Sequence, residues 1–321
     1  VPGQLIIQMT DKCNARCPQC GMRVTEKFHR TTLTVEAIKA MLDAAPRHCV
    51  QAVSFTGGDP LLYLDEVLDL ERHAGRVGIP FVRTGTNGFL FRHSERADFG
   101  ERIHRLAERL AATPVRNFWI SIDSVNTALH EEMRGFHGVI RGIEKALPIF
   151  HAHGLYPSAN LGINRNMGGS LTRDLGPAGF RDRTTYLNTF GNVYKEAFQR
   201  FYQHIIDLGF TMVNTCYPMS IGASEEEQGL SPVYAAAAIG DVVRFAADEK
   251  VALFGALLET IPRFRSMLRI FSPLCSLYAL IRQHARSASG EVTREKDLPG
   301  YGCRGGLEFW FVDARDGHVY P

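Results

Sequence analysis

Six short β-rich runs, each followed at close spacing by a helical pattern, restrict most strongly what this 321-residue chain can become. They are QLIIQM (4–9), QAVSF (51–55), IPFVRTG (79–85), NFWISID (117–123), PSANLGIN (157–164) and FTMVNTCY (210–217). Between the first two, Thr34 caps a helix whose apolar positions Val35, Ile38, Met41, Leu42 and Ala45 share one face. Further helical periods follow the second and third runs, then recur at Ile140, Ile143, Leu147 and Phe150, and at Phe201, Ile205 and Leu208. Strands separated by helices are parallel and joined by right-handed crossovers. The pattern predicts an α/β fold, a partial (β/α)6 barrel of TIM-like type, rather than a two-lobed nucleotide-binding sheet.

In parallel barrels the chemistry gathers at the C-terminal ends of the strands. Polar and glycine-rich punctuation stands at those ends here: a cysteine loop after strand one, then Gly57-Gly58-Asp59, Asn87, Asp123, Asn164 and Cys216. Residues 165–190 read as an insertion over the barrel mouth, either a substrate lid or a loose loop. The alternation ends near residue 230, which divides the chain into a barrel core (1–230) and an extension (231–321). The extension is mainly helical over 233–286, polar over 287–300, and closes in LEFWFVDARDGHVYP, a terminal β-hairpin turning at Asp316-Gly317.

Hydrophobic residues at 45% and charged residues at 22% are ordinary for a soluble globular protein. A net charge of +2 gives no electrostatic reason to expect nucleic acid or an anionic membrane as partner. No run approaches the roughly 20 apolar residues of a membrane span. The chain starts at Val1, without Met or a signal-like segment, so residues upstream of it are expected. Seven cysteines, odd in number and unevenly clustered, argue for a reducing compartment with metal-binding or catalytic thiols, hence a cytoplasmic protein.

Three of those cysteines, Cys13, Cys17 and Cys20, stand in TDKCNARCPQCGMR with C-x3-C-x2-C spacing. A structural zinc site would show a second cysteine pair or a paired histidine, whereas His29 stands alone nearby. The spacing suits three corners of a [4Fe–4S] cluster, with one iron left open to a small molecule. Here the sequence resembles the radical S-adenosylmethionine (SAM) superfamily. The resemblance implies that SAM occupies the open iron through its amino and carboxylate groups. Electron transfer, from a flavodoxin- or ferredoxin-type donor, then releases a 5′-deoxyadenosyl radical that takes hydrogen from a substrate carbon.

Other matches stand in the family's order over roughly residues 4–217. Gly57-Gly58-Asp59-Pro60 matches the turn that contacts the SAM amino group. Thr86-Asn87-Gly88 matches the family's third-strand end, and Ser121 with Asp123 match its fourth-strand polar pair near the ribose or methionine of SAM. Arg134-Gly135 resembles a pair that commonly follows. Asn160, Asn164 and Arg165 either hold polar groups of SAM or substrate, or serve the strand edge. Two positions depart from the family pattern: Gln19 stands where an aromatic residue usually contacts adenine, and Asp59 stands for Glu.

Cys303 and Gly317 resemble the opening of a SPASM or twitch extension, which carries auxiliary iron–sulfur clusters. The same spacing projects another cysteine at position 322, and Cys275 is a further candidate ligand of an auxiliary [4Fe–4S] cluster. Cys216 is a candidate catalytic thiol or a small apolar filler; Cys49 reads as structural. Arg263, Arg265 and Arg269 read as a solvated helix face. The auxiliary-cluster resemblance favours maturation of a ribosomally made peptide. The same chemistry on a small metabolite (a sugar, nucleoside or amino-acid derivative) is the alternative, and a non-enzymatic iron–sulfur protein is the third reading.

Overall fold

The structure is a computed structural model that describes residues 3–20, 29–218, 242–289 and 307–320. Six strands run in chain order, β1 (Gly3–Thr10), β2 (Val50–Gly57), β3 (Phe81–Thr86), β4 (Val115–Ser121), β5 (Ser158–Gly162) and β6 (Met212–Cys216). Each pairs in parallel with its sequence neighbour. The connecting helices are α1 (Val35–Ala44), α2 (Leu64–Arg76), α3 (Phe99–Ala111), α4 (Thr127–Arg134), α5 (Val139–Ala152), the short α6 (Ser170–Arg173) and the long α7 (Arg183–Leu208). The open sheet and its sequential parallel order are those of the expected partial barrel.

Local chemistry sets the helix ends. The Thr34 hydroxyl accepts from the Ala37 N–H, as the sequence predicts, and Asp182 does the same for α7 through the Thr185 N–H. Gly209 ends α7 in the left-handed region at φ 101°, where a Cβ would be strained.

Alternation along the strands divides the sheet into two faces. Ile7, Val53, Phe55, Val82, Phe118, Ile120, Leu161 and Val213 are buried in the core shared with the helices. Gln4, Ser54, Arg83, Asn117, Trp119, Asn160, Asn214 and Cys216 alternate with them on the other, inner face, and most of these are only half-buried. Strands that are apolar toward the helices and largely polar inward leave the interior of the partial barrel as a polar, half-buried surface.

From residue 242 the fold continues the same sheet. Helix α8 (Ala247–Phe264) lies along α7, and β7 (Arg269–Ile270) pairs in parallel with β6. Helix α9 (Leu274–Ala288) then packs on α8. The predicted terminal hairpin is β8 (Phe309–Val312) against β9 (Val319–Tyr320), with Gly317 in the left-handed region of its turn. It does not stand apart, because β8 pairs in parallel with β1 and the order becomes β7-β6-β5-β4-β3-β2-β1-β8-β9. The boundary expected at residue 230 lies outside the described residues.

The insertion expected over 165–190 is neither lid nor loose loop along its whole length. Met167 and Thr172 are fully buried, the Ser124 hydroxyl donates to the Asn166 carbonyl, and the Val125 N–H donates to the Met167 carbonyl. From Arg183 onward it is helix α7, whose Tyr186, Phe190, Tyr194, Phe198, Phe201 and Tyr202 are buried. Turn residues at 168–179 conceal this in the sequence, since glycine and proline read as loop whatever lies beside them.

Candidate functional site

The C-terminal ends of β1, β2 and β3 are tied into one unit around the cysteine loop. The Gly58 N–H donates to the Thr10 carbonyl at 2.8 Å, and the Asp59 N–H donates to the Lys12 carbonyl at 3.0 Å. A Cβ on Gly57 or Gly58 would run into the Thr10 or Lys12 carbonyl oxygen respectively, so only glycine admits this approach. The turn therefore presses directly against the backbone that carries Cys13.

Asp59 is completely buried and braces the third strand end. Its carboxylate accepts from the Asn87 N–H at 2.6 Å, the Thr86 hydroxyl at 3.0 Å and the Leu61 N–H at 3.0 Å. Burial pushes its pKa up to about 6, against the opposite pull of these donors and of the Arg134 charge. Asn87, held from below in this way, donates its side-chain N–H to Asn14 Oδ1 at 2.9 Å and to Cys13 Sγ at 3.5 Å.

Cys13, Cys17 and Cys20 share one loop, with the Cys20 N–H donating to the Cys17 carbonyl. Burial pushes the Cys17 thiol up to about 12 and the Cys13 thiol in the same direction. Among the described residues, no three His, Cys, Asp or Glu side chains converge in metal-holding geometry. The donor set nevertheless fits an anionic cluster. Three thiols stand on one loop, a buried cation, Arg134, acts electrostatically on Cys17 and Cys20, and both amide atoms of Gln19 are buried without a partner.

Arg134 ends α4, and its Nε donates to Asp123 Oδ2 at 2.6 Å. Burial alone would lower its pKa, but Asp123 and the neighbouring thiols raise it above the ordinary value, so the guanidinium stays charged. His130 completes the group. Its Nδ1 accepts from the Asp123 N–H at 3.1 Å, and burial lowers its pKa to about 4. A neutral ring accepting at Nδ1 has no proton there for the Asp123 carboxylate at 3.7 Å, so that contact is not an ion pair.

The remaining predicted residues fall into two groups. Asn164 is fully buried at the mouth, donating to the Asp123 and Gly162 carbonyls and accepting from the Asn166 N–H. Arg165 is engaged with Glu249 and the Arg244 carbonyl and so joins the β5 end to α8. On the inner face, Ser121 lies in register with Asn160, and Asn160 with Asn214. The Asn214 amide donates to Asn160 Oδ1 at 2.8 Å, and Cys216 Sγ lies 3.4 Å from both side chains. Burial raises the Cys216 pKa, which keeps the thiol protonated. Cys49 is exposed, Cys275 is exposed on α9, and Cys303 lies outside the described residues. Arg263, Arg265 and Arg269 are exposed, but they do not form the one helix face expected: Arg263 stands in the last turn of α8, Arg265 follows it and Arg269 stands on β7.

Sequence reasoning named Arg134 only as a motif match and did not single out His130, Arg83 or Trp119. The signal for the last two was present: a charged and a large aromatic side chain at inward positions of strands whose outward positions are apolar.

Residues 7–164 match the radical SAM superfamily. A GTP 3′,8-cyclase from Desulforamulus reducens is 30% identical over half of this chain and 47% of its own length. An AdoMet-dependent heme synthase from Nitratidesulfovibrio vulgaris is 24% identical over 98% of this chain and 71% of its own. Among solved structures, Streptococcus suis SuiB bound to S-adenosylmethionine superposes with a TM-score of 0.62 at 16% identity, covering all of this chain and 60% of SuiB. The chain thus spans less than half the length of the cyclase it matches.

Proposed function

We propose that this chain, which belongs to the radical SAM superfamily through residues 7–164, is an enzyme that abstracts hydrogen from a carbon of a small polar metabolite. A [4Fe–4S] cluster and SAM, the cofactors of this family, would supply the 5′-deoxyadenosyl radical for that step. Cys13, Cys17 and Cys20 would hold the cluster. Gly57, Gly58 and Asn87 would position SAM beside it, with Asp59 bracing Asn87 from beneath. Asp123 would act mainly by orienting Arg134, and Asn164 by joining the β4 and β5 ends.

The observation that carries this reading is the direct fastening of the cysteine loop to the second and third strand ends, through Gly58, Asp59 and Asn87. Isolated structural cysteines have no use for three converging strand termini. The choice of a small metabolite over a peptide is supported by two features. The inner face of the sheet is polar and half-buried, and the curated relatives bear the names of a GTP cyclase and a heme synthase. Peptide maturation was expected from Cys303, which lies outside the described residues. No helix among the described residues is long and apolar enough to cross a membrane. A cytoplasmic location and a flavodoxin- or ferredoxin-type donor complete the proposal.

The test is anaerobic iron–sulfur reconstitution followed by reduction with dithionite in the presence of SAM. Production of 5′-deoxyadenosine and methionine, abolished by Cys17→Ala, is the expected result. A reconstituted, iron-loaded protein that leaves SAM intact would overturn the reading.

A further inference from the structure

The inner face of the sheet carries a cation that the cluster site does not use. Arg83 sits in the middle of β3, in register with Asn117 of β4, on the side opposite the buried Val82 and Thr84. Among the described residues its guanidinium has no carboxylate partner and no hydrogen bond. Three other arginines that leave solvent pair with a carboxylate, Arg134 with Asp123, Arg165 with Glu249 and Arg315 with Asp313, whereas Arg92, off the inner face, has a cation–π contact with Phe136 instead. A partly desolvated cation without a counter-charge is unfavourable unless an anion joins it.

The neighbours of Arg83 compensate only in part and are shaped as a receptacle. The Trp119 ring lies across Gly85, where any Cβ would collide with the indole, and Arg83 Cζ is 5.8 Å from the ring centroid. A cation–π contact at that distance leaves the guanidinium's five donors unspent. Cys216 of β6 lies within electrostatic range of Arg83, although two strands, β4 and β5, stand between them in the sheet order. Arg83, Trp119, Asn160, Asn214 and Cys216 thus share the inner face of β3 to β6, with Arg83 against Trp119 and the two asparagines against Cys216. That face holds a charge, a flat aromatic wall and two carboxamides, and its strand β3 ends in Asn87, which contacts the cysteine loop.

We infer that Arg83 selects a substrate bearing a carboxylate or phosphate, with Trp119 forming the wall beside it. The inference rests on the proposed function for the meaning of substrate, but it makes a binding claim that stands without turnover. The planar guanidinium would take two oxygens of the anion at once, which a lysine could not reproduce.

The intact reconstituted chain, with SAM present and no reductant, is titrated calorimetrically with tripolyphosphate and, separately, with tricarballylate. The chain has two tryptophans, so a Trp310→Phe variant makes Trp119 the fluorescent reporter of the same titrations. The expected result is saturable binding of at least one anion with a change in Trp119 emission, weakened about 10- to 100-fold in Arg83→Gln. Which anion binds distinguishes phosphate from carboxylate. Arg83→Lys should show an intermediate loss, and it serves alone if circular dichroism shows Arg83→Gln unfolded. Binding of neither anion, or unchanged affinity in the Arg83 variants, would overturn the inference. Reductive SAM cleavage by the unsubstituted chain is scored separately. Anion binding without SAM cleavage removes the proposed function alone, and cleavage without anion binding removes this inference alone.

Discussion

Arg134 donates to Asp123 at 2.6 Å with side-chain exposures of 10% and 3%, and the same guanidinium acts electrostatically on Cys17 and Cys20. One carboxylate at the end of β4 thus fixes a cation beside the cysteine loop that follows β1. Buried pairs of this kind add little net stability, but their halves are costly when separated. Asp123→Ala should therefore destabilise the protein by about 3–5 kcal/mol. Asp123→Ala combined with Arg134→Met should recover part of that loss. Urea unfolding followed by circular dichroism checks both; an additive double variant would contradict the coupling.

Arg134 also has an expected electronic effect. A positive charge near an iron–sulfur cluster favours its reduced, more negative state. Removing the charge in Arg134→Met should lower the midpoint potential of the reconstituted cluster, on the order of tens of millivolts. Redox titration monitored by electron paramagnetic resonance measures the shift directly. An unchanged potential in a folded, iron-loaded variant would limit Arg134 to a structural part.

Much of this arrangement is legible in the sequence, because parallel strands leave period-two and helical patterns that neighbouring residues alone determine. The six core strands and the order of polar turns at their ends follow from that. What is hidden depends on partners distant in the chain. Nothing in LEFWFV says that β8 will pair with β1 some 300 residues away. The match at Arg134-Gly135 marks a position, but its meaning comes from the Cys17 and Cys20 thiols far earlier in the chain, which only the assembled sheet brings within its electrostatic reach. The glycines and proline of 168–179 conceal the burial of Met167 and Thr172, because turn propensity is local and burial is not. Arg83 was overlooked for a related reason. Alternation sets Arg83 opposite the apolar positions of its strand, but which of the two faces lines the interior is visible only in the assembled sheet.

The glycine turn gives a steric prediction. At Gly58 an added methyl meets the Lys12 carbonyl oxygen, a backbone atom that cannot rotate away. Gly58→Ala should cost about 2–3 kcal/mol through displacement of the cysteine loop, the usual scale of overpacking. Gly100→Ala, where a Cβ meets nothing within 4 Å, is the matched control and should be neutral or slightly stabilising. Thermal unfolding compares the two, and iron bound after reconstitution should fall in Gly58→Ala alone.

Glu71 supplies a pH dependence that is independent of the site. It lies on α2, fully buried, and neither carboxylate oxygen has a hydrogen-bond partner. Burial pushes its pKa up to about 7 from 4.5, with Thr113 and Arg72 opposing; the Thr113 hydroxyl gives its proton to the Leu110 carbonyl. Between those values the folded chain holds a proton that the unfolded chain releases, so stability falls as pH rises across that window. The contribution is fully present below about pH 4.5 and lost above about pH 7, and it amounts to about 3 kcal/mol. Glu71→Gln keeps the shape and removes the titration. Its stability should therefore be nearly matched to the unsubstituted chain at pH 5 and greater at pH 8. Denaturant unfolding of both proteins at the two pH values decides the matter: an equal difference at each would show that Glu71 does not titrate in this window.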